Sequence, residues 1–250
     1  DMTMPRIEVR APALVPYPFG LFSVAQPTNP DDEGHATSGT WWLSESAGAA
    51  GVTFTPCTVD APDPIDALAP NVECGISESV LQFTVYAFSD LSMETYTDAE
   101  MYARASSMLQ AGEQHAVETA LWDALVTNAG AGTGATGLVD TLARAEAAVA
   151  AAYGGSPVVH LSRYNASRLG TTNARVEGTK LRTALGTDVV AGGGYDTDSL
   201  VIVTGPIVMT RGPIKNLGIA HNRDENSHAA IVERSYTIGW DAYASKHTIA

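Results

Sequence analysis

The sequence predicts an α+β fold in which strands and helices alternate irregularly rather than in βαβ repeats. Three observations lead there. Residues 97–126 carry the pattern of a single helix about eight turns long. Strand-like runs precede and follow it in mixed order, at 80–88, 157–161, 189–191, 200–203, 207–209 and 229–241. Ahead of them lie two stretches, 1–32 and 33–79, that hold apolar side chains but no helical or strand core of their own.

The first stretch is extended. Pro5, Pro12, Pro16, Pro18, Pro27 and Pro30 forbid a helix and favour polyproline-like or edge conformations. Yet Ile7, Val9, Leu14, Val15, Tyr17, Phe19, Leu21, Phe22 and Val24 need burial, so this arm must lie along its own domain or along a neighbour. Residues 33–79 are rich in Gly, Ser, Pro and Ala, with short strand-like pieces at 40–43 and 51–55 around the turn-forming SESAGAAG. Trp41 and Trp42 are adjacent, and in a strand one ring faces each side. A two-stranded ribbon of this kind is marginal alone. It is a candidate intersubunit element.

Residues 80–88 (VLQFTVYAF) alternate as a strand, with Leu81, Phe83, Val85 and Ala87 on one face and Val80, Thr84, Tyr86 and Phe88 on the other. The long helix then opens on a Thr97–Glu100 capping box with Asp98 in its first turn. Its apolar stripe runs Met101, Ala105, Met108, Leu109, Gly112, Ala116, Ala120, Leu121, Ala124, Leu125, and Glu100, Arg104, Gln110, Glu113, Glu118 and Asp123 take the opposite face. After the glycine-rich GAGTGATG at 130–137, an alanine-rich helix spans 138–153 and stops at Gly154-Gly155. A buried-type strand at 157–161, a short helix near 163–169 and further strands with glycine-rich turns complete the chain. The last strand, 229–241, is expected to bend at Gly239.

Composition narrows the function. In 250 residues, 45% hydrophobic and 17% charged, the chain can bury a sizeable core. Its net charge of −14 opposes a protein that coats nucleic acid by neutralising phosphates. The five nearest-clustered cations, Arg163, Arg168, Arg175, Lys180 and Arg182, read as balance for an acidic chain. The first residues lack the basic head and apolar run of a secretory signal, and no segment reaches the roughly 18 apolar residues of a membrane helix. Cys57 and Cys74 are too few for a disulfide scaffold and have no His partners at zinc spacing; whether they pair stays open.

Candidate chemistry fails on context. Gly132, Gly134 and Gly137 spell a dinucleotide fingerprint, but a helix precedes them where a strand is required, which leaves a flexible interhelix loop. His115 and Glu118 are three apart with Glu113 close by, but no second such motif exists to complete a di-metal site, so they read as a solvated histidine beside acids. His160 reads as a satisfied core histidine. The acidic runs Asp31, Asp32, Glu33 and Asp60, Asp63, Asp66 do not match a calcium loop, and there is no G-x-S-x-G. No catalytic, cofactor-binding or metal-ligating residue emerges, and no enzyme activity is expected.

The order of motifs resembles a known family. A proline-rich apolar arm, a long ribbon with LFSVAQ before it and both cysteines within it, VLQFTVYAF, the helix with AGEQHAVETALW, then PVVHLSRYNASRL, GTKLRTALGTDVVAGGGY, VIVTGPIVMTRG and AAIVERSYTIGWDA follow one another. This is similar to the major capsid proteins of tailed phages of actinobacteria, within the HK97-like capsid fold that also includes encapsulins.

The resemblance implies an N-terminal arm at 1–32, an extended β-loop at 33–79, a peripheral domain at 80–126 and 210–250 with 97–126 as its spine helix, and an axial domain at 127–209. It implies a virion protein that assembles with copies of itself, as pentamers and hexamers, into an icosahedral head around double-stranded DNA. Assembly would take place in the host cytoplasm with portal, scaffold and possibly decoration proteins as partners, the DNA by proximity only, and no membrane. Tyr17, Phe19, Phe22, Trp41 and Trp42 would be assembly contacts. The sequence shows no obvious N-terminal scaffolding domain, so a separate scaffold protein or a removed segment is expected. The alternatives are an encapsulin-like compartment and a tail-tube or other virion ring protein. One departure is visible: the only lysines are Lys180, Lys215 and Lys246, so a Lys–Asn cross-link from the extended loop is not expected.

Overall fold

Two β-sheets share one long helix. The computed structural model describes residues 17–28, 80–92, 96–153, 155–222, 227–241 and 243–250. In chain order the elements are α1 (Leu21–Val24), β1 (Val80–Ser92), α2 (Asp98–Asn128), β2 (Gly130–Ala131), α3 (Leu138–Ala152) and β3 (Val158–Ser162). Then come α4 (Arg163–Arg168), α5 (Gly170–Asn173), β4 (Ala174–Glu177), β5 (Lys180–Thr183) and β6 (Asp188–Gly192). The last are β7 (Leu200–Thr204), β8 (Ile207–Arg211), β9 (Lys215–Asn222), β10 (Ser227–Trp240) and β11 (Ala244–Thr248). The ribbon at 33–79, with Trp41, Trp42, both cysteines and the Asp60 series, lies outside the described residues, as do Asp31, Asp32 and residues 1–16.

The helix forms where the sequence signals it. Thr97 Oγ1 accepts from Glu100 N at 3.4 Å and Thr97 N donates to Glu100 Oε2 at 2.9 Å, a closed capping box worth about 1 kcal/mol. Met101, Ala105, Leu109, Val117, Leu121 and Leu125 are buried along one side, as their near-fourfold spacing requires. Met108, assigned to the apolar stripe, is half exposed at 49%.

The first sheet pairs β1 with β10 antiparallel from Val80↔Gly239 to Ser92↔Ser227. On its other side β10 pairs β8 through its C-terminal half and β9 through its N-terminal half. Its inner face carries Val85, Val232, Tyr236 and Ile238 against Ala105 and Leu109 of α2. Tyr86 and Phe88 project from the opposite face and are exposed, in keeping with the alternation of β1. The ladder passes Gly239 without a register shift; the irregularity falls instead at Leu217–Gly218, opposite Ile231 and Val232. Gly218 sits there at φ 146°, where a side chain would strain the backbone.

The second sheet has seven strands in the order β2-β11-β7-β3-β6-β5-β4, with β3 parallel to β6. Its centre is buried on both faces, which is why VVHLS, DVVAG and LVIVT read as unbroken apolar runs. Val159, Leu161, Val189, Val201 and Val203 face α3, where Leu142, Ala145 and Val149 cover them. Val158, Val190 and Ile202 face the other way, into the core that holds α2 and α1. Thus α2 serves as a wall of both sheets.

Two further local expectations change. A one-turn helix, α1, occupies the proline-free window between Pro18 and Pro27 of the arm, so proline excludes helix from the flanks but not from LFSV. The glycine-rich loop at 130–137 is not a free connection. β2 pairs with β11, and Gly132 N, Ala135 N and Gly137 N donate to the carbonyls of Lys246, Thr248 and Ala250. A Cβ on Gly132 would lie 2.3 Å from the His247 ring. The fingerprint glycines thus serve close packing on the C-terminal strand, and no phosphate cradle is needed to explain them.

Candidate functional site

The described residues hold one dense polar junction, centred on Glu118 of α2. Although placed on the polar face by its spacing, Glu118 is completely buried. Its Oε1 accepts from Leu21 N and Gln114 Nε2, both at 2.9 Å. Its Oε2 accepts from Gly193 N at 2.6 Å and Gly194 N at 3.1 Å. A buried carboxylate costs several kcal/mol unless its lone pairs are filled, and these four donors fill them. His115, one turn earlier on the helix, is exposed as expected.

The backbone geometry follows from composition. The run Gly192-Gly193-Gly194 after β6 must pass directly over α2. A Cβ on Gly194 would lie 2.5 Å from His115 O and 2.7 Å from Thr119 N, both rigid helix backbone. Only glycine lets two successive amides reach Glu118 there.

The N-terminal segment is held by the same junction. Gln114 Nε2 donates to Tyr17 O at 3.3 Å, Arg163 Nη1 to Pro18 O at 3.1 Å and Ala191 N to Phe19 O at 2.8 Å. Leu21 is fully buried. Farther along, Thr28 exchanges backbone bonds with Met209 and Arg211 of β8. Residues 17–28 therefore bridge α2, the seven-stranded sheet and the four-stranded sheet.

Three of the five sequence-assigned contact residues, Tyr17, Phe19 and Phe22, fall at this place. Tyr17 is 59% exposed and lies under the Arg163 guanidinium, 4.8 Å from ring centre to Cζ. Phe19 is half-buried with φ 64°, unusual for a residue with a side chain. Phe22 is partly buried and stacks on Tyr236 at 6.3 Å within the same chain. Trp41 and Trp42 lie outside the described residues.

Two polar networks flank Glu118, and sequence reasoning identified neither. Glu113, also assigned to the polar face, is buried and accepts from Arg234 Nη1 at 2.8 Å and Tyr236 OH at 2.7 Å, with Arg211 Nη1 at 3.5 Å. Burial, then the Glu113 hydrogen bond, holds the Tyr236 phenol well above its ordinary value. On the other side Trp122 stacks on Tyr195 at 4.6 Å and donates to Asp196 Oδ1 at 3.1 Å. Burial, with Glu118 adding repulsion, raises the Tyr195 phenol too, so it stays protonated.

Tyr195 OH meets His160 Nδ1 at 2.9 Å, and His160 Nε2 meets Thr204 Oγ1 at 3.1 Å. Thr204 donates its hydroxyl to Gly205 O at 2.8 Å, so it must accept from His160 Nε2. That assigns a neutral imidazole with its proton on Nε2, and burial lowers its pKa from 6.5 to about 3. His160 is the satisfied core histidine that PVVHL implied.

Ser162 donates to Asp198 at 2.5 Å and caps α4 through Asn165 N, with no histidine interposed. Among the described residues no three metal-ligating side chains converge. The basic residues are partnered: Lys180 and Arg182 with Asp188, Arg175 and Arg182 with Glu177, and Arg168 over Tyr164. Three of the five cations thus sit in ion pairs, and Arg163 and Arg168 lie over tyrosine rings. No helix of the described residues is long and apolar enough to cross a membrane. What the junction does is tie the N-terminal segment and the Gly192–Gly194 turn to α2.

Two expectations follow. Glu118→Gln keeps the shape but turns a donor toward backbone N–H groups, and should cost about 2–5 kcal/mol in denaturant unfolding. A loss below about 0.5 kcal/mol would mean the junction is not under load. For His160 the folded pKa is depressed, so between pH 6.5 and 3 the unfolded chain binds a proton that the native chain does not. Stability is then lost as pH falls through this window, by about 2 kcal/mol between pH 7 and pH 5 from His160 alone. Urea midpoints of wild type and His160→Gln at both pH values isolate that share; equal slopes would contradict it.

No protein-family model and no curated protein matches the sequence. Solved structures match at the level of fold. The capsid of the native GTA particle gives a TM-score of 0.58 at 10% identity, over 100% of this chain and 96% of that one. A chain from Mycobacterium phage Che8 gives 0.53 at 14% identity, over 98% and 96%. The virus-like particle from Pyrococcus furiosus gives 0.50 at 10% identity, over 66% and 75%. The chain has the α+β fold of phage capsid proteins, the HK97-like fold that its motif order resembles.

Proposed function

We propose that the chain is a major capsid subunit, which assembles with its own copies as pentamers and hexamers into an icosahedral head around double-stranded DNA. The likeness to the native GTA capsid over the whole of this chain is the observation that carries the reading. In this reading α2 is the spine, the four-stranded sheet belongs to the peripheral part and the seven-stranded sheet to the axial part. β11 goes with the axial part by its pairing, although the boundary read from sequence groups 210–250 with the peripheral one. Residues 1–16 and 33–79 would make the reaching contacts, together with Trp41 and Trp42. Tyr17, Phe19 and Phe22 would present the arm at the subunit surface. Portal, scaffold and decoration proteins would be further partners, and the virion the final location.

An encapsulin-like compartment is the second reading, favoured by the likeness to the Pyrococcus particle. That match covers 66% of this chain, against 100% for the GTA capsid, so DNA rather than an enzyme is the proposed content. The role is structural: many weak, repeated contacts sum to a durable shell by the arithmetic of multivalency.

Electron microscopy of the chain co-expressed with its gene neighbours tests this, and closed shells or hexameric and pentameric rings are expected. The arm is tested by a truncation that respects the core. Removing residues 1–25 would delete the buried Leu21 and unravel the Glu118 junction, so the informative variant removes 1–16. It is expected to give folded subunits that close no shells. Stacked tubes or persistent monomers from the full chain would contradict the capsid reading, and normal particles from the truncation would contradict the role of the arm.

A further inference from the structure

Far from the Glu118 junction, a histidine pair spans β9 and β10. His221 and His228 are directly opposed in the antiparallel register, so both side chains project to the same face of the sheet. Their rings are stacked with centres 6.0 Å apart and planes inclined by 30°. His228 is 97% buried, yet its Nε2 has no hydrogen-bond partner. A buried polar atom left unpaired calls for an explanation, since it forfeits its hydration for nothing. On the other edge of the same ring, His228 Nδ1 faces Asp98 Oδ1 at 3.6 Å, in the first turn of α2.

We propose that His221 and His228 bind a divalent late first-row transition ion, with Nε2 of His228 as the buried ligand and Asp98 orienting that ring from its Nδ1 side. The arrangement matches how metal-ligating imidazoles are held elsewhere: one nitrogen on the ion, the other turned toward a carboxylate. An ion about 2.1 Å from one nitrogen of each ring is spanned by ring centres about 5–6 Å apart, close to the observed spacing; because the lone pairs lie in the ring planes, the exposed His221 ring must turn out of its stacked orientation to meet the ion. His221 is exposed and gives the ion its entry, with water completing the coordination. Two imidazoles select copper, nickel and zinc over magnesium and calcium. The ion would staple β9 to β10 at the end of the long ladder, next to the start of the spine helix. This inference does not depend on the capsid reading.

The test is calorimetric titration of the full chain with Cu2+, Ni2+, Zn2+ and Mg2+ in a non-coordinating buffer, with thermal unfolding alongside. Saturable one-to-one binding is expected in the order Cu2+ above Ni2+ and Zn2+, with none for Mg2+. His221→Ala, an exposed change that leaves the core intact, should weaken Cu2+ binding about tenfold or more by removing the second intramolecular ligand. The same change should abolish the metal-dependent rise in Tm. His115→Ala, on the exposed face of α2, should leave both unchanged. Equal affinity in wild type and His221→Ala would overturn the site, as would an equal loss in His115→Ala.

Discussion

The deeper of two buried carboxylates on α2 constrains the middle of this molecule. Glu118 sits on the one helix that walls both sheets, and its two oxygens take backbone amides from segments 97 and 75 residues away. Charge-assisted bonds to fixed amides are directional in a way that apolar contacts are not. The surrounding side chains, Leu21, Trp122 and Tyr195, contribute area and hold the parts together. Glu118 fixes where the N-terminal segment crosses the helix and where the Gly192–Tyr195 turn must pass. The cost of ionising a buried acid is offset only while both segments stay in place, so loosening either leaves the charge exposed to low dielectric without partners.

That constraint accounts for the layout. Because α2 is shared, movement of one sheet against the other must act on the helix. Arg234, Tyr236 and Arg211 tie the four-stranded sheet to Glu113, and the Tyr195–His160–Thr204 chain ties the seven-stranded sheet to the turn over Glu118. At the end of the helix Lys246 donates to Val126 O at 2.7 Å, so β11 anchors its C-terminus as well. For a subunit whose proposed task is to transmit load to neighbours, a strut clamped along its length is a physically sensible design. Tyr86 and Phe88, exposed on the outer face of β1, lie on the side of the four-stranded sheet away from α2.

Local and doubly buried features were legible in the sequence. The Thr97–Glu100 box and the spacing of Met101 through Leu125 identify α2 because helix signals lie within a few residues of one another. VVHLS, DVVAG and LVIVT betray strands covered on both faces. The β4–β5 hairpin escaped notice because its four-residue strands alternate Arg175, Glu177, Lys180 and Arg182 with few apolar positions. β9 was equally obscure, with its bulge at Leu217–Gly218 and only Leu217, Ile219 and Ala220 as apolar residues. Glu113 and Glu118 were assigned to solvent because helical spacing alone puts acids on the polar side; their partners are distant arginines and backbone amides. The glycine run at 192–194 and Gly20 were the available signal, since successive glycines mark a close approach, but nothing in the sequence says to what.

The most direct measurement is native-state hydrogen exchange on the unmodified chain, resolved at the amides of Leu21, Gly193 and Gly194. If Glu118 holds these three segments as one unit, the three amides exchange with one common free energy, close to that of Val190 and Ile202 in the adjoining strands. Exchange of the two glycine amides at near-intrinsic rates, while the strands stay protected, would contradict the account.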